Sequence, residues 1–216
     1  MDLMTVDHLL TTTHSVRKRL DFSRPVEPEV LERCIEIAQH APTGANAQGW
    51  HWVVVADAAK KMGIANYYRK SWAVYSTAPR QRAANPNDPR AKQLQRVRDS
   101  ANYLAEHMHE APVLVIPCIE GRVENAGAAA QAGLYGSILP AAWSLMLALR
   151  ARGLGSAWTS LHLVYEKEIA ALLGIPAHIT QAALLPVAYF TGSDFKPAAR
   201  LPARERTHWD QWGQRR

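Results

Sequence analysis

Between Ala126 and Leu149 the chain carries no charged residue. A stretch of that length can span a bilayer, which takes about 20 predominantly apolar residues. It is nonetheless rich in alanine and glycine, holds Gln131, Ser137, Pro140 and Ser144, and is only modestly hydrophobic. A mildly apolar helix of this kind reads as the buried centre of a globular domain rather than as a membrane span. It is expected from near Gln131 to Arg152 and stops at Gly153, a residue that suits the left-handed turn beyond a helix end. Other elements must wrap around this rod.

The rest of the composition can supply them. Of 216 residues, 48% are hydrophobic and 20% charged, too apolar for a disordered chain and suited to one compact domain over 1–216. The 25 basic residues exceed the 19 acidic ones, for a net charge of +6. That balance favours anionic partners such as a phosphorylated cofactor, an acidic substrate or nucleic acid. The surplus concentrates in Arg69, Lys70, Arg80, Arg82, Arg90, Lys92, Arg96 and Arg98, read first as a solvated face. Cys34 and Cys118 lie in apolar runs outside any CxxC spacing, so buried reduced thiols are expected. The first residues include acids and no apolar stretch, unlike a signal peptide. These features point to the cytoplasm, with no membrane partner.

Val6, Leu9 and Leu10 mark a first helix near Thr5–Thr13. After a turn at Asp21–Pro25, Pro28 opens a second helix, with Leu31, Cys34, Ile35 and Ala38 at helical spacing. Pro42-Thr43-Gly44-Ala45-Asn46 breaks it into a loop, and Trp50–Val55 is a strand by its β-branched and aromatic content. Helices are expected over Asp57 to about Tyr75 and over Ala91–Glu110, separated by a mobile loop at 78–90. Strands are expected at Val113–Ile116, Ser156–Leu161 and Ala182–Phe190, a helix at Tyr165–Leu173, and an extended tail over 200–216. Helices and strands alternate with irregular connections, which favours an α+β fold, one sheet with helices on both faces.

Several familiar motifs fail on context. Gly153-Leu154-Gly155 follows a helix, and the third glycine of a dinucleotide fingerprint would fall on Trp158. No GxSxG or HExxH occurs. His107 and His109 stand two apart, so on a helix they do not share a face and no metal site is expected. Trp50, Trp52, Trp143 and Trp158 lie in apolar elements and are expected in the core rather than stacked on bases.

Three segments then occur in order. The first is Thr13-His14-Ser15-Val16-Arg17-Lys18-Arg19, followed by Pro25-Val26. The second is Ala41-Pro42-Thr43-Gly44-Ala45-Asn46-Ala47-Gln48-Gly49-Trp50. The third is the long helix ending in Leu154-Gly155-Ser156-Ala157-Trp158-Thr159, with Arg200 beyond. Together they resemble the nitroreductase family of flavoproteins over nearly the whole chain. Gly49 stands where that family usually has proline, and Thr13 where it usually has arginine, so a phosphate cation is missing or supplied by Lys18 or Arg19.

The resemblance implies a nitroreductase-like fold with a mixed sheet, completed by dimerisation. It implies FMN as cofactor, with His14, Ser15 and Arg17 on its phosphate and ribityl chain and Arg200 closing the phosphate. Arginine suits that anion because its fork of donors clamps two oxygens at once. Pro42, Thr43 and Asn46 would pack against the isoalloxazine from the partner subunit of a homodimer. Thr159, Ser160 and Leu161 would lie beside flavin N5, where a backbone N–H can donate, and Pro140 and His107 would line the pocket. No catalytic side chain is needed, since the cofactor carries the chemistry and the protein supplies binding and electrostatics. The activity implied is ping-pong: NADH or NADPH reduces the flavin, which then reduces a small acceptor such as a nitroaromatic or quinone. A reductive dehalogenase or flavin-cleaving enzyme on the same fold is the alternative. A basic nucleic-acid-binding protein using 69–98 is another, though no binding module is present.

Overall fold

The computed structural model of the chain describes residues 2–78 and 91–216. In order these form α1 (Leu3–Thr12), β1 (Leu20–Asp21), α2 (Pro28–Ala38), β2 (Trp50–Val55), α3 (Ala58–Thr77) and α4 (Ala91–His107). There follow β3 (Val113–Glu120), α5 (Ala128–Arg150), β4 (Leu154–Ser156), α6 (Glu166–Leu173), β5 (Ile179–Gln181) and β6 (Leu185–Phe190). Local chemistry sets the ends. Asp2 caps α1 by accepting from the Met4 N–H, Pro28 sits in the first turn of α2, and Asp57 caps α3 by accepting from the Lys60 N–H at 2.8 Å. The loop expected at 78–90 lies, apart from Ala78, outside the described residues.

The sheet is built on β3, which pairs with β2, β5 and β6; β6 in turn pairs with β1 and β4. Every pairing among the described residues is antiparallel, where a mixed sheet was expected. Two helices, α3 and α4, join β2 to β3, so the chain re-enters the sheet reversed; a single crossing helix would return it parallel. β3 is buried on both sides and sorts its residues by parity. Val113 and Val115 pack with Leu31, Cys34, Leu145 and Leu149 of α2 and α5. Leu114, Ile116 and Cys118 pack with Ile64, Tyr68, Leu104 and Ile169 of α3, α4 and α6. Helices thus cover both faces.

Other departures have local causes. β3 runs past Ile116 through Pro117, which lacks a donor but whose carbonyl accepts from the Ala182 N–H at 2.9 Å. The last strand is split, because β5 pairs with the far end of β3 and β6 with its near end. The strand expected at Ser156–Leu161 ends at Ser156; Thr159 makes an isolated bridge to Leu184, and Leu161–Tyr165 forms a 3-10 turn before α6. α5 is long and apolar enough to cross a membrane by length and composition, yet Leu145, Met146 and Leu149 bury its C-terminal half against α2 and the sheet. Its first turns are largely exposed, although Ser137 and Ile138 are buried, and Leu139 and Trp143 are 36% and 38% exposed. Trp143 is therefore not a core residue: the covering elements stop short of this face.

Candidate active site

The segment His14–Arg17 is strapped to the end of β4. The Val16 N–H donates to the Ser156 carbonyl at 2.8 Å, and the Trp158 N–H donates to Ser15 Oγ at 3.3 Å. Gly155 makes the close approach possible, since a Cβ there would lie 3.0 Å from both Val16 Cβ and Leu20 Cδ2. This contact aims Arg17 into a cavity of about 290 Å³ between α3, α4 and residues 158–161.

Arg17 enters the cavity with Tyr68, Trp72, Arg98, Thr159 and Leu161 around it. Among the described residues its side chain makes one hydrogen bond, a long 3.4 Å contact from Nη1 to Ser100 Oγ. Burial pushes its pKa below the usual arginine value, with Tyr68 opposing, but guanidinium keeps its proton in proteins. A half-buried cation with no carboxylate among the described residues is incompletely compensated, so the place favours an anion or strong acceptor. Burial likewise raises the Tyr68 phenol, against a hydrogen bond with Thr159 and the nearby charge of Arg17. Thr159 gives its N–H to Leu184 O at 3.1 Å and its hydroxyl to Tyr68 Oη at 3.1 Å. The Ser160 and Leu161 amides have no acceptor among the described residues.

Cations gather at the other end of the same segment. The His14 ring meets Phe195 edge-on, centroids 4.8 Å apart, and Arg19 Cζ and Arg150 Cζ lie 4.0 and 5.1 Å from the centre of that phenyl ring. Burial lowers the His14 pKa; Arg150, Arg200 and Arg19 lower it further, against a hydrogen bond to the Ser15 carbonyl. Asp194 is the acid at this place, contacting Arg150 Nη2 at 2.5 Å and His8 Nε2 at 2.9 Å. Arg19 is committed to the carbonyls of Thr191 and Asp194 at 2.6 and 2.8 Å. Arg150 keeps a buried Nε without a partner among the described residues. Thr13 turns its hydroxyl back to Leu9 O at 2.7 Å, and Lys18 is exposed.

The other residues singled out from the sequence sit elsewhere in the single chain. Gly44 of the Pro42–Asn46 loop donates to Ser137 Oγ at 3.0 Å, fixing the loop on α5. Ala45, Asn46 and Gln48 adopt φ of 51°, 54° and 53°, each costing about 1–3 kcal/mol, and Pro42 and Asn46 are exposed. Pro140 lies inside α5. His107 ends α4, stacked on Tyr103 and bonded to Glu110 at 2.7 Å; neither it nor Pro140 lines the cavity. Arg200 is exposed and hydrogen-bonds the Ala199 carbonyl. Sequence reasoning missed Tyr68, Trp72 and Tyr75, an aromatic stripe at helical spacing, and Arg150, which carries no local signal; Arg98 belongs to the basic cluster already noted, and the fold brings it to the cavity.

With this geometry in view, the chain matches known proteins throughout its length. The profile of the Nitroreductase family matches residues 10–189. The 5,6-dimethylbenzimidazole synthase of Rhodospirillum rubrum is 29% identical over 170 residues, covering 76% of this chain and 73% of that enzyme. Iodotyrosine deiodinase 1 of Rattus norvegicus is 29% identical over 180 residues, covering 81% of this chain; the match spans 60% of that enzyme's length. A structure of a variant of NfnB, an FMN- and NADPH-dependent nitroreductase from Sphigopyxis sp. strain HMH, superposes with a TM-score of 0.68 at 22% identity, covering 95% of this chain and 99% of the other. The last likeness is one of fold. The chain belongs to the nitroreductase family.

Proposed function

We propose that this chain is a homodimeric FMN-dependent oxidoreductase of the cytoplasm, acting between NADH or NADPH and a small acceptor. The observation that carries this is Arg17: a half-buried cation with no carboxylate partner among the described residues, facing a cavity beside the Ser160 and Leu161 amides, which have no acceptor among those residues. Bound FMN supplies a redox centre that passes electrons from the nicotinamide to a nitroaromatic, quinone or similar molecule in alternating half-reactions.

The residues fit that group in two zones. His14, Ser15, Arg200 and Arg150 hold the phosphate, with Arg150 standing in for the cation that Thr13 does not provide. Arg17 serves the polar edge of the ring system, because its charge lies in the aromatic-walled cavity and not among the cations gathered at Phe195. There it favours negative charge on the ring, and the Ser160 and Leu161 amides offer donors without reorganisation. Pro42, Thr43 and Asn46 act from the partner subunit; their strained loop sits on the less buried half of α5, the apolar face that dimerisation would cover. Pro140 of α5 belongs to the same shared surface, and His107 to the rim.

A second reading keeps the cofactor and changes its fate. It is favoured by the two relatives at 29% identity, a dimethylbenzimidazole synthase and a deiodinase. Rapid mixing decides between them. Anaerobic NAD(P)H should bleach the flavin, and a nitroaromatic or quinone should restore its colour with the flavin intact. Conversion of reduced FMN to 5,6-dimethylbenzimidazole in oxygen, or loss of halide from a halotyrosine, supports the second reading.

A further inference from the structure

We infer that the outer part of the cavity takes an aromatic molecule bearing an acidic group, of the benzoate class, and that Arg98 reads its charge. This rests on the flavin reading above, which commits Arg17 to the cofactor. The remaining lining is a wall of Tyr68, Trp72 and Tyr75 on α3, facing Leu94, Val97 and Arg98 on α4. The wall is set in place: Trp72 Nε1 donates to Asn102 Oδ1 at 3.0 Å across the two helices, and the Tyr75 ring lies 5.6 Å from that of Trp72. The two rings, tilted 42° to each other, form one aromatic wall against which a planar ring can pack. With the flavin ring seated against Arg17, what remains of the cavity of about 290 Å³, already at the small end for ligand sites, has room for a single substituted ring and not for a dinucleotide.

The charge asymmetry is what selects the acid. Among the described residues no aspartate or glutamate lines the cavity. Among the described residues the exposed Arg98 side chain makes one hydrogen bond, from Nη2 to the Ser76 carbonyl at 3.0 Å, and no ion pair, so its remaining donors face solvent and the cavity mouth. The adjacent Asp99 is held by Gln95 at 2.9 Å, so it does not neutralise Arg98. A carboxylate on the ring would receive a charge-assisted bond from the free donors of Arg98; the corresponding amide would not.

The test compares 4-nitrobenzoate with 4-nitrobenzamide, near-identical in shape, by calorimetric titration of the FMN-loaded protein. The carboxylate should bind about tenfold tighter, with the ratio shrinking as salt rises. Arg98→Gln should bring the ratio near one, while Arg98→Lys should keep part of the preference; flavin content and melting temperature report whether each variant is folded. Equal binding of the two compounds by the unaltered protein, binding of neither, or an undiminished ratio in Arg98→Gln overturns the inference while the flavin reading stands. Failure to load FMN at all overturns both.

Discussion

The Thr159 hydroxyl donates to the Tyr68 phenol oxygen at 3.1 Å, tying the chain beyond β4 to α3 across the floor of the cavity. Both residues are buried, at 8% and 3% exposure, so neither group has water as an alternative. Tyr68→Phe should leave the threonine hydroxyl unpaired and cost about 1–3 kcal/mol. Urea unfolding of the apoprotein checks this, as a lower midpoint at unchanged slope; an unmoved midpoint contradicts it.

Gly155 sets how closely the His14–Arg17 strap lies on β4. An alanine there would press on the Val16 Cβ at 3.0 Å, a branched side chain with little freedom to yield. Gly155→Ala should lose about 1–3 kcal/mol of stability and weaken FMN binding as well, because the strap carries both His14 and Arg17. Fluorescence titration with FMN reads the second effect. Unchanged affinity would show that the strap does not position the cofactor.

Arg150 and Asp194 should act with opposite sign on the cofactor's phosphate. Arg150→Gln should weaken FMN binding by about tenfold or more, the worth of a hydrogen bond to a charged group, while riboflavin, which lacks the phosphate, binds as before. Asp194→Asn removes the competing carboxylate held at 2.5 Å and should raise the preference for FMN over riboflavin. If both flavins lose affinity equally in Arg150→Gln, its role is structural.

His162 is fully buried with both ring nitrogens unpartnered among the described residues, and burial pushes its pKa down from 6.5 to about 3. Between these values the unfolded chain binds a proton that the native chain refuses, so stability is full above pH 6.5 and falls as the pH drops below it. The slope from this group is about 1.4 kcal/mol per pH unit. His162→Leu should flatten the decline between pH 6.5 and 5, measured from urea midpoints. His14, also lowered by burial, leaves a residual slope of the same sign. Parallel curves for the two proteins would remove His162 from this account.

The charge-free run and the order of the three motif segments made the central helix and the family legible, because local pattern alone specifies both. The antiparallel sheet was not legible: both helices between β2 and β3 were expected, but which strands pair, and in which direction, is set by long-range contacts that no local pattern records. Trp143 misled because an apolar residue on an apolar helix carries no sign of which face is covered. Arg150 was invisible for another reason. It is a basic residue in the last turn of a helix, unremarkable locally, and only the fold carries it to Phe195 and His14. The Pro42–Asn46 loop shows a similar limit, since its composition gave the turn but not the α5 surface that holds it.

The central claim is that the cavity and cation cluster hold FMN. Heat-denaturing the purified protein and quantifying the released flavin by chromatography tests it most directly. The prediction is a yellow protein carrying about one FMN per chain, or a colourless one that takes up FMN stoichiometrically when it is added. A colourless protein that binds no added FMN would contradict the account.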